Sequence, residues 1–189
     1  SSVPYWIAMI GCVFSIIVVK QLFGGLGKNF ANPAIVGRIV LLISFPTQLT
    51  AATPTRFEQI LDGATYATPF ELGWIPNAVY PTKLEMFLGV RGGAIGETCI
   101  LALLIGFIYL LVRKILTVTI PLSYVGSVFL LSWAMGKDPV FEIMAGGLVL
   151  AAIFMATDYV TSPTTEMGKL IYGIGAGVMT VVIRQYSSY

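Results

Sequence analysis

The sequence predicts an all-α, polytopic membrane protein, with about five spanning helices, a short broken half-helix and one long polar loop. Three observations predict it. Apolar residues fill 57% of the 189 positions and charged residues only 11%, against about 45–50% and 25% in soluble domains. The mean hydropathy is +0.87. The apolar residues also gather into runs long enough to cross about 30 Å of hydrocarbon, parted by short polar connections. On this reading residues 1–189 are a single transmembrane domain.

Val3 to Phe23 is the first run, with Lys20 near its far edge. A glycine- and asparagine-rich turn follows, Gly24 to Asn32. Asn32-Pro33 is a strong helix start, because asparagine caps and proline suits the first helical position. The helix it opens ends at Phe45, before Pro46, and rises only ~20 Å. It is therefore a half-helix, and it carries Arg38. Short interrupted helices in membranes mark binding sites through their free N–H groups, and an arginine at membrane depth needs a partner or a polar cavity. The alternative is an ordinary short helix whose arginine snorkels to the interface.

The long polar stretch runs from Thr47 to Gly93, with Trp74-Ile75-Pro76-Asn77 and Tyr80-Pro81 as turns. Further spans are expected over Ala94–Val112, Val118–Met135, Val140–Thr157 and Lys169–Arg184. In the first of these Glu97 and Thr98 would lie in the opening turns, where a carboxylate suits the helix dipole. Lys20, Lys28 and Arg113-Lys114 fall in short connections on one side, which the positive-inside rule makes cytoplasmic. Counting crossings then puts the 47–93 loop, the Lys137 loop and Tyr189 outside, and Asn29, Asn32 and Asp158 inside.

Composition also excludes. The net charge of +2 with scattered basic residues gives no footprint for nucleic acid. There is no histidine, which removes the commonest metal ligand and general base. Cys12 and Cys99 form no disulfide framework and no CxxC signature. They read as small buried apolar residues, or one as a thiolate ligand to an intramembrane iron–sulfur site shared with another subunit.

Asp62-Gly63-Ala64-Thr65 stands in the long loop, followed by Ala67-Thr68-Pro69. Asp-Gly alone is a common turn dipeptide. The longer pattern resembles the flavin-attachment motif shared by the D subunit of the Rnf complex and the B subunit of the sodium-translocating NADH:quinone reductase. Gly27-Lys28-Asn29-Phe30-Ala31-Asn32-Pro33-Ala34 with Gly37-Arg38 is similar to that family's half-helix start. Gly92-Gly93-Ala94-Ile95-Gly96-Glu97-Thr98 and Thr157-Asp158-Tyr159-Val160-Thr161-Ser162-Pro163 resemble two later segments, in the same order. The compact loop leading directly to Leu88-Gly89 favours the D-subunit type.

The resemblance implies a longer chain at both ends and a larger, repeat-built helical bundle. It implies a redox-driven ion translocase, a ferredoxin:NAD+ oxidoreductase moving Na+ or H+, in a bacterial or archaeal cytoplasmic membrane. Thr65 would hold FMN covalently as a phosphoester, with Asp62, Gly63 and Ala64 as the recognition motif of a flavin transferase. A second, non-covalent flavin, riboflavin, would sit on the cytoplasmic side near Asn29, Asn32 and Asp158. Lys28 and the half-helix N–H groups would favour its reduced form. Arg38, Arg91, Glu97 and Thr98 are further candidates for lining the path or the FMN pocket, Glu97 and Thr98 being equally readable as a helix start. Implied partners are the A, B, C, E and G types of Rnf subunit, the transferase and the lipid bilayer. Two other readings stand beside this one. A channel suits the broken helix, though its spans would need a polar stripe; a lipid-modifying enzyme lacks histidine and a clustered acid pair.

Overall fold

Two Asx–proline pairs, Asn32-Pro33 and Asp138-Pro139, open two short helices in the same way. Asn32 Oδ1 accepts the Ala34 N–H at 3.0 Å, and Asp138 Oδ1 accepts those of Val140 at 3.0 Å and Phe141 at 3.3 Å. In both, proline takes the first turn, where its missing N–H costs nothing. A computed structural model of the chain describes residues 3–25, 27–29, 31–50, 82–89 and 96–186.

Helix α1, Tyr5–Phe14, runs on into a π-helical stretch, Ser15–Gln21. Helix α2 is Pro33–Ser44 and α3 is Pro46–Thr50; Phe45 between them leaves the helical region because a residue before proline is crowded out of it. Then come α4, Lys83–Leu88, α5, Ile100–Val112, and α6, Thr119–Ala134. Helix α7, Pro139–Met144, is followed by α8, Leu148–Leu150, which continues as a π-helical turn, Ala151–Met155. Helix α9 is Glu166–Tyr186. All regular structure among the described residues is helical, as expected. Among the described residues, α9, at 21 residues, is the one helix long and apolar enough by length and composition to cross a membrane.

Four expectations need correction. Cys12, expected to be buried, is exposed, and Cys99 is only half-buried. The segment read as one span from Val140 to Thr157 is broken: Ala145 is extended (ψ 138°) and Gly146 takes a left-handed φ of 66° before Gly147 starts the second piece. An apolar run hides such a break, because glycine adds no polarity but adopts a φ that ends a helix. The helix expected from Ala94 begins at Ile100. Gly96 has φ 95°, so Glu97 and Thr98 lie in a turn ahead of α5 instead of in its first turns. Finally, the stretch 47–93 has helix at both edges, in α3 and α4. Helix α4 carries a full capping box, with Glu85 Oε2 accepting the Thr82 N–H at 2.7 Å and Thr82 Oγ1 accepting the Glu85 N–H at 3.3 Å.

Helices α1 and α2 pack through small residues. Gly37 of α2 lies against Ser15 and the Gly11 carbonyl of α1, and Gly11 lies under Leu41. Trp6 and Phe45 close one end edge-to-face at 5.4 Å. The later helices form a second packed group. Ile120, Tyr124 and Val128 of α6 meet Leu148 and Ala152 of the broken helix and Val181 of α9. Ile100 of α5 meets Val149 and Ile153 on its other side. The broken helix is thus sandwiched between α5 and the α6–α9 pair.

That pair is the closest contact in the group. Gly173 and Gly177, four apart on α9, lie directly on Ser123 and Ser127 of α6, where an added Cβ would come within 2.9 Å of the Ile120 and Tyr124 carbonyls as well. The serines turn their hydroxyls back onto their own helix, to Thr119 O at 2.7 Å and Tyr124 O at 2.8 Å. Tyr124 Oη and Thr180 Oγ1 bond across the seam at 2.7 Å. Small residues on both sides are what apolar helices need to approach closely without a hydrophobic driving force between them.

Outside the spans, α4 is tied to the start of α7 by Lys83 Nζ and Asp138 Oδ2, 2.5 Å apart. Lys83 holds the Asp138 carboxyl below its ordinary range, with the two capping N–H groups adding to this. The Thr82 bonds lower Glu85 likewise.

Gly177→Val should force α6 and α9 apart and cost about 1–3 kcal/mol or more. A lowered thermal midpoint of the full-length protein in detergent, with a smaller change for a substitution at the exposed Gly175, checks this. The second prediction concerns pH. A depressed native carboxyl stabilises above its unfolded value near ~3.9 and loses that contribution as pH falls through the lower folded value. Amide protection of 83–88 should therefore persist at neutral pH and decline only in acid, read by hydrogen exchange. Asp138→Asn, which keeps the cap, should shrink the acid transition, and adding Glu85→Gln should abolish it.

Candidate functional site

The half-helix start is built by local bonds. Asn32 Oδ1 is occupied by the cap, which leaves its amide N–H groups as donors. Asn29 Nδ2 reaches Ala31 O at 3.5 Å. Lys28 is exposed, as is Arg38, which neighbours the buried Gly37 in the α1 contact and forms no ion pair among the described residues.

Asp158 lies in the loop between the broken helix and α9. Its Oδ2 accepts from Thr161 at 3.1 Å, and its carbonyl accepts from Ser162 N at 2.9 Å. On either side, Thr157 Oγ1 donates to Ile153 O at 2.5 Å and Tyr159 Oη donates to Ile115 O, joining this loop to the α5–α6 turn. Beneath them is a half-open cavity of about 230 Å³ lined by Leu116, Thr117, Thr157, Tyr159, Thr164 and Lys169 among others. Lys169 Nζ is held by Glu166 at 2.8 Å, and Glu166 also accepts from Thr119 at 2.7 Å. The lining combines apolar side chains with hydroxyls and the Lys169 cation.

The third place is the break in the α7–α8 helix. Arg184 of α9 reaches into it: Nη1 donates to the Glu142 carbonyl at 2.6 Å and pairs with Glu142 Oε2 at 3.2 Å, while Nη2 donates to the Ala145 carbonyl at 3.0 Å. Lys137 Nζ stands 3.7 Å from the other oxygen of Glu142. Glu142 is 7% exposed. Glu97, 8% exposed, meets the break from the α5 side, with Oε2 2.5 Å from where a Cβ of Gly147 would be. Any larger residue at 147 would displace that carboxylate.

Of the sites expected from sequence, Thr65, Asp62, Gly63, Ala64 and Arg91 lie outside the described residues. The hydrogen bonds of Asn29, Asn32 and Asp158 each stay within their own loop. Glu97 is at the helix break, while Thr98 is half-buried in the turn beside it. Sequence reasoning missed Glu142, Arg184 and the Ala145-Gly146-Gly147 break. The available signal was an acid and a Gly-Gly pair inside one apolar run, with a base at the same depth near the end of another.

Asn32 has two separable roles in this geometry. Asn32→Ala should lose about 1 kcal/mol with its cap, whereas Asn32→Asp keeps an accepting oxygen and loses only the amide donors. Hydrogen exchange at the start of α2 should rise in the alanine variant and stay near wild type in the aspartate variant.

Among known proteins, the model of the NQR2, RnfD, RnfE family matches residues 1–189. The D subunit of the Na(+)-translocating ferredoxin:NAD(+) oxidoreductase complex of Acetobacterium woodii is 43% identical over 189 residues, covering 98% of this chain and 58% of that protein. The D subunit of the proton-translocating ferredoxin:NAD(+) oxidoreductase complex of Clostridium ljungdahlii is 41% identical over 204 residues, covering 98% and 60%. The D subunit of the ion-translocating oxidoreductase complex of Alcanivorax borkumensis is 37% identical over 212 residues, covering 98% and 62%. The chain spans about three fifths of the length of these curated relatives. Matched by the family model along its whole length and by relatives of this identity, the chain belongs to the NQR2, RnfD, RnfE family.

Proposed function

We propose that the chain is part of a membrane-embedded electron-carrier subunit of an ion-translocating ferredoxin:NAD+ oxidoreductase, moving Na+ or H+. The observation that carries this reading is Asp62-Gly63-Ala64-Thr65 in a chain whose relatives at 37–43% identity are all named as D subunits of ion-translocating oxidoreductase complexes. Those names favour the D-subunit type over the quinone-reductase B type. Other subunits of the complex and a flavin transferase are its partners, in a bacterial or archaeal cytoplasmic membrane.

FMN on Thr65 would supply one-electron chemistry on the outer face, and riboflavin would supply it on the inner face. The chain's own part is to hold and insulate. Gly63 and Ala64, as small residues, would leave a flavin transferase room to reach the Thr65 hydroxyl. Helix α1, α5, α6, the α7–α8 pair and α9 would be five crossings, with α2 as the half-helix. The Asn32 amide, free of its capping oxygen, would donate to a flavin carbonyl, with Lys28 adding positive charge. Apolar packing of α5 and α6 around the broken helix would keep water out of the space between the faces. The Glu142 carboxylate at the break is paired with Arg184, which disfavours the channel reading.

The test is ultraviolet-excited flavin fluorescence of the denatured protein, followed by mass spectrometry of the peptide containing Thr65. We expect FMN minus water on Thr65 and its loss in Thr65→Ala. A bare Thr65 in protein from cells that contain the transferase would overturn the reading.

A further inference from the structure

At the break in the α7–α8 helix the Glu142 and Ala145 carbonyls accept no turn or loop backbone N–H among the described residues. In water they would be hydrated; among apolar helices they must be satisfied from within. The oxygens that converge there are the carbonyls of Glu142 and Ala145 and a carboxylate oxygen of Glu142. Unwound carbonyls joined by a carboxylate form the donor set with which interrupted membrane helices bind small cations. In this chain the same set is filled by a guanidinium, at 2.6, 3.0 and 3.2 Å.

We propose that Arg184 is a tethered cation that occupies the carbonyl-lined break and seals it against mobile monovalent cations. The guanidinium matches several oxygens at once through its fixed fork. It is delivered by α9, whose Gly173 and Gly177 hold that helix closely against α6. Glu97 and Glu142 approach the break from two sides. Together they would make it attractive to a cation if the arginine were removed. The ion moved by the complex would then pass elsewhere, and Arg184 would serve tightness and not transport. This inference is independent of the flavins.

The experiment uses the full-length protein in its complex, reconstituted in vesicles without any electron donor, with passive Na+ uptake as the readout. Arg184→Ala should raise the leak by about tenfold or more, and millimolar methylguanidinium should suppress it. Arg184→Lys should stay near wild type. Glu142→Gln, which leaves the arginine and both carbonyl bonds in place, should leak little. An assembled Arg184→Ala complex as tight as wild type overturns the proposal, as does a leak that methylguanidinium leaves unchanged. If the alanine variant assembles only when methylguanidinium is present, the cation role is supported. If it fails to assemble even then, the side chain is a packing requirement alone and the proposal fails.

Discussion

The later half of the chain depends on one constraint: a helix interrupted within an apolar bundle must find hydrogen-bond donors for its loose carbonyls. Unsatisfied backbone groups in such surroundings cost several kcal/mol each, roughly the margin by which many domains are stable. Arg184 meets that demand for Glu142 and Ala145 together. Its own burial is offset by the Glu142 carboxylate. Removing Arg184 alone would leave the buried Glu142 carboxylate with only Lys137, 3.7 Å away, which is more costly than never having had the pair. The break, the acid and the base are therefore a unit.

The position of Arg184 is itself a consequence of helix packing. Helix α9 has no large side chains at Gly173 and Gly177, so its backbone approaches α6 to within contact of the Ser123 and Ser127 hydroxyls. Between helices immersed in lipid, close approach of this kind replaces the hydrophobic effect as the source of association. The same device recurs where Gly37 meets Ser15 between α2 and α1. Serines on both seams bond back to their own helix carbonyls, Ser15 to Gly11 O at 2.8 Å among them. They bring small volume without leaving a polar group unsatisfied.

Charge is sorted by depth. Lys83–Asp138 and Lys169–Glu166 stand at the ends of helices, partly exposed, where a pair contributes little and chiefly fixes orientation. Among the described residues Glu97 and Glu142 are the buried carboxylates, and both lie at the helix break, Glu142 paired with Arg184. Asp138 has a double task there, capping α7 and holding α4 at its mouth. Helix α4 ends on Gly89, which lies against Cys99 just after the Glu97 turn. The far edge of the long loop is thereby registered to the turn that carries Glu97.

By itself the sequence determined the membrane character, the helical class and the starts of helices whose signals are local. Asn32-Pro33 and the Phe45-Pro46 boundary were readable because capping and proline sterics act within a few residues. The Asp62-Gly63-Ala64-Thr65 motif, too, is a property of contiguous residues. Tertiary structure decided the rest. Whether Val140–Thr157 was one helix or two could not be read from hydropathy, since Gly146-Gly147 is compatible with a continuous apolar run. Breaking there becomes favourable only when a donor arrives from α9, 39 residues beyond Ala145 and on another helix. Glu97 likewise reads as a dipole partner at a helix start until Gly96 turns the chain and Gly147 opens the space that receives its carboxylate. Those outcomes rest on contacts between segments far apart in sequence, and hydrophobic periodicity carries no information about such contacts.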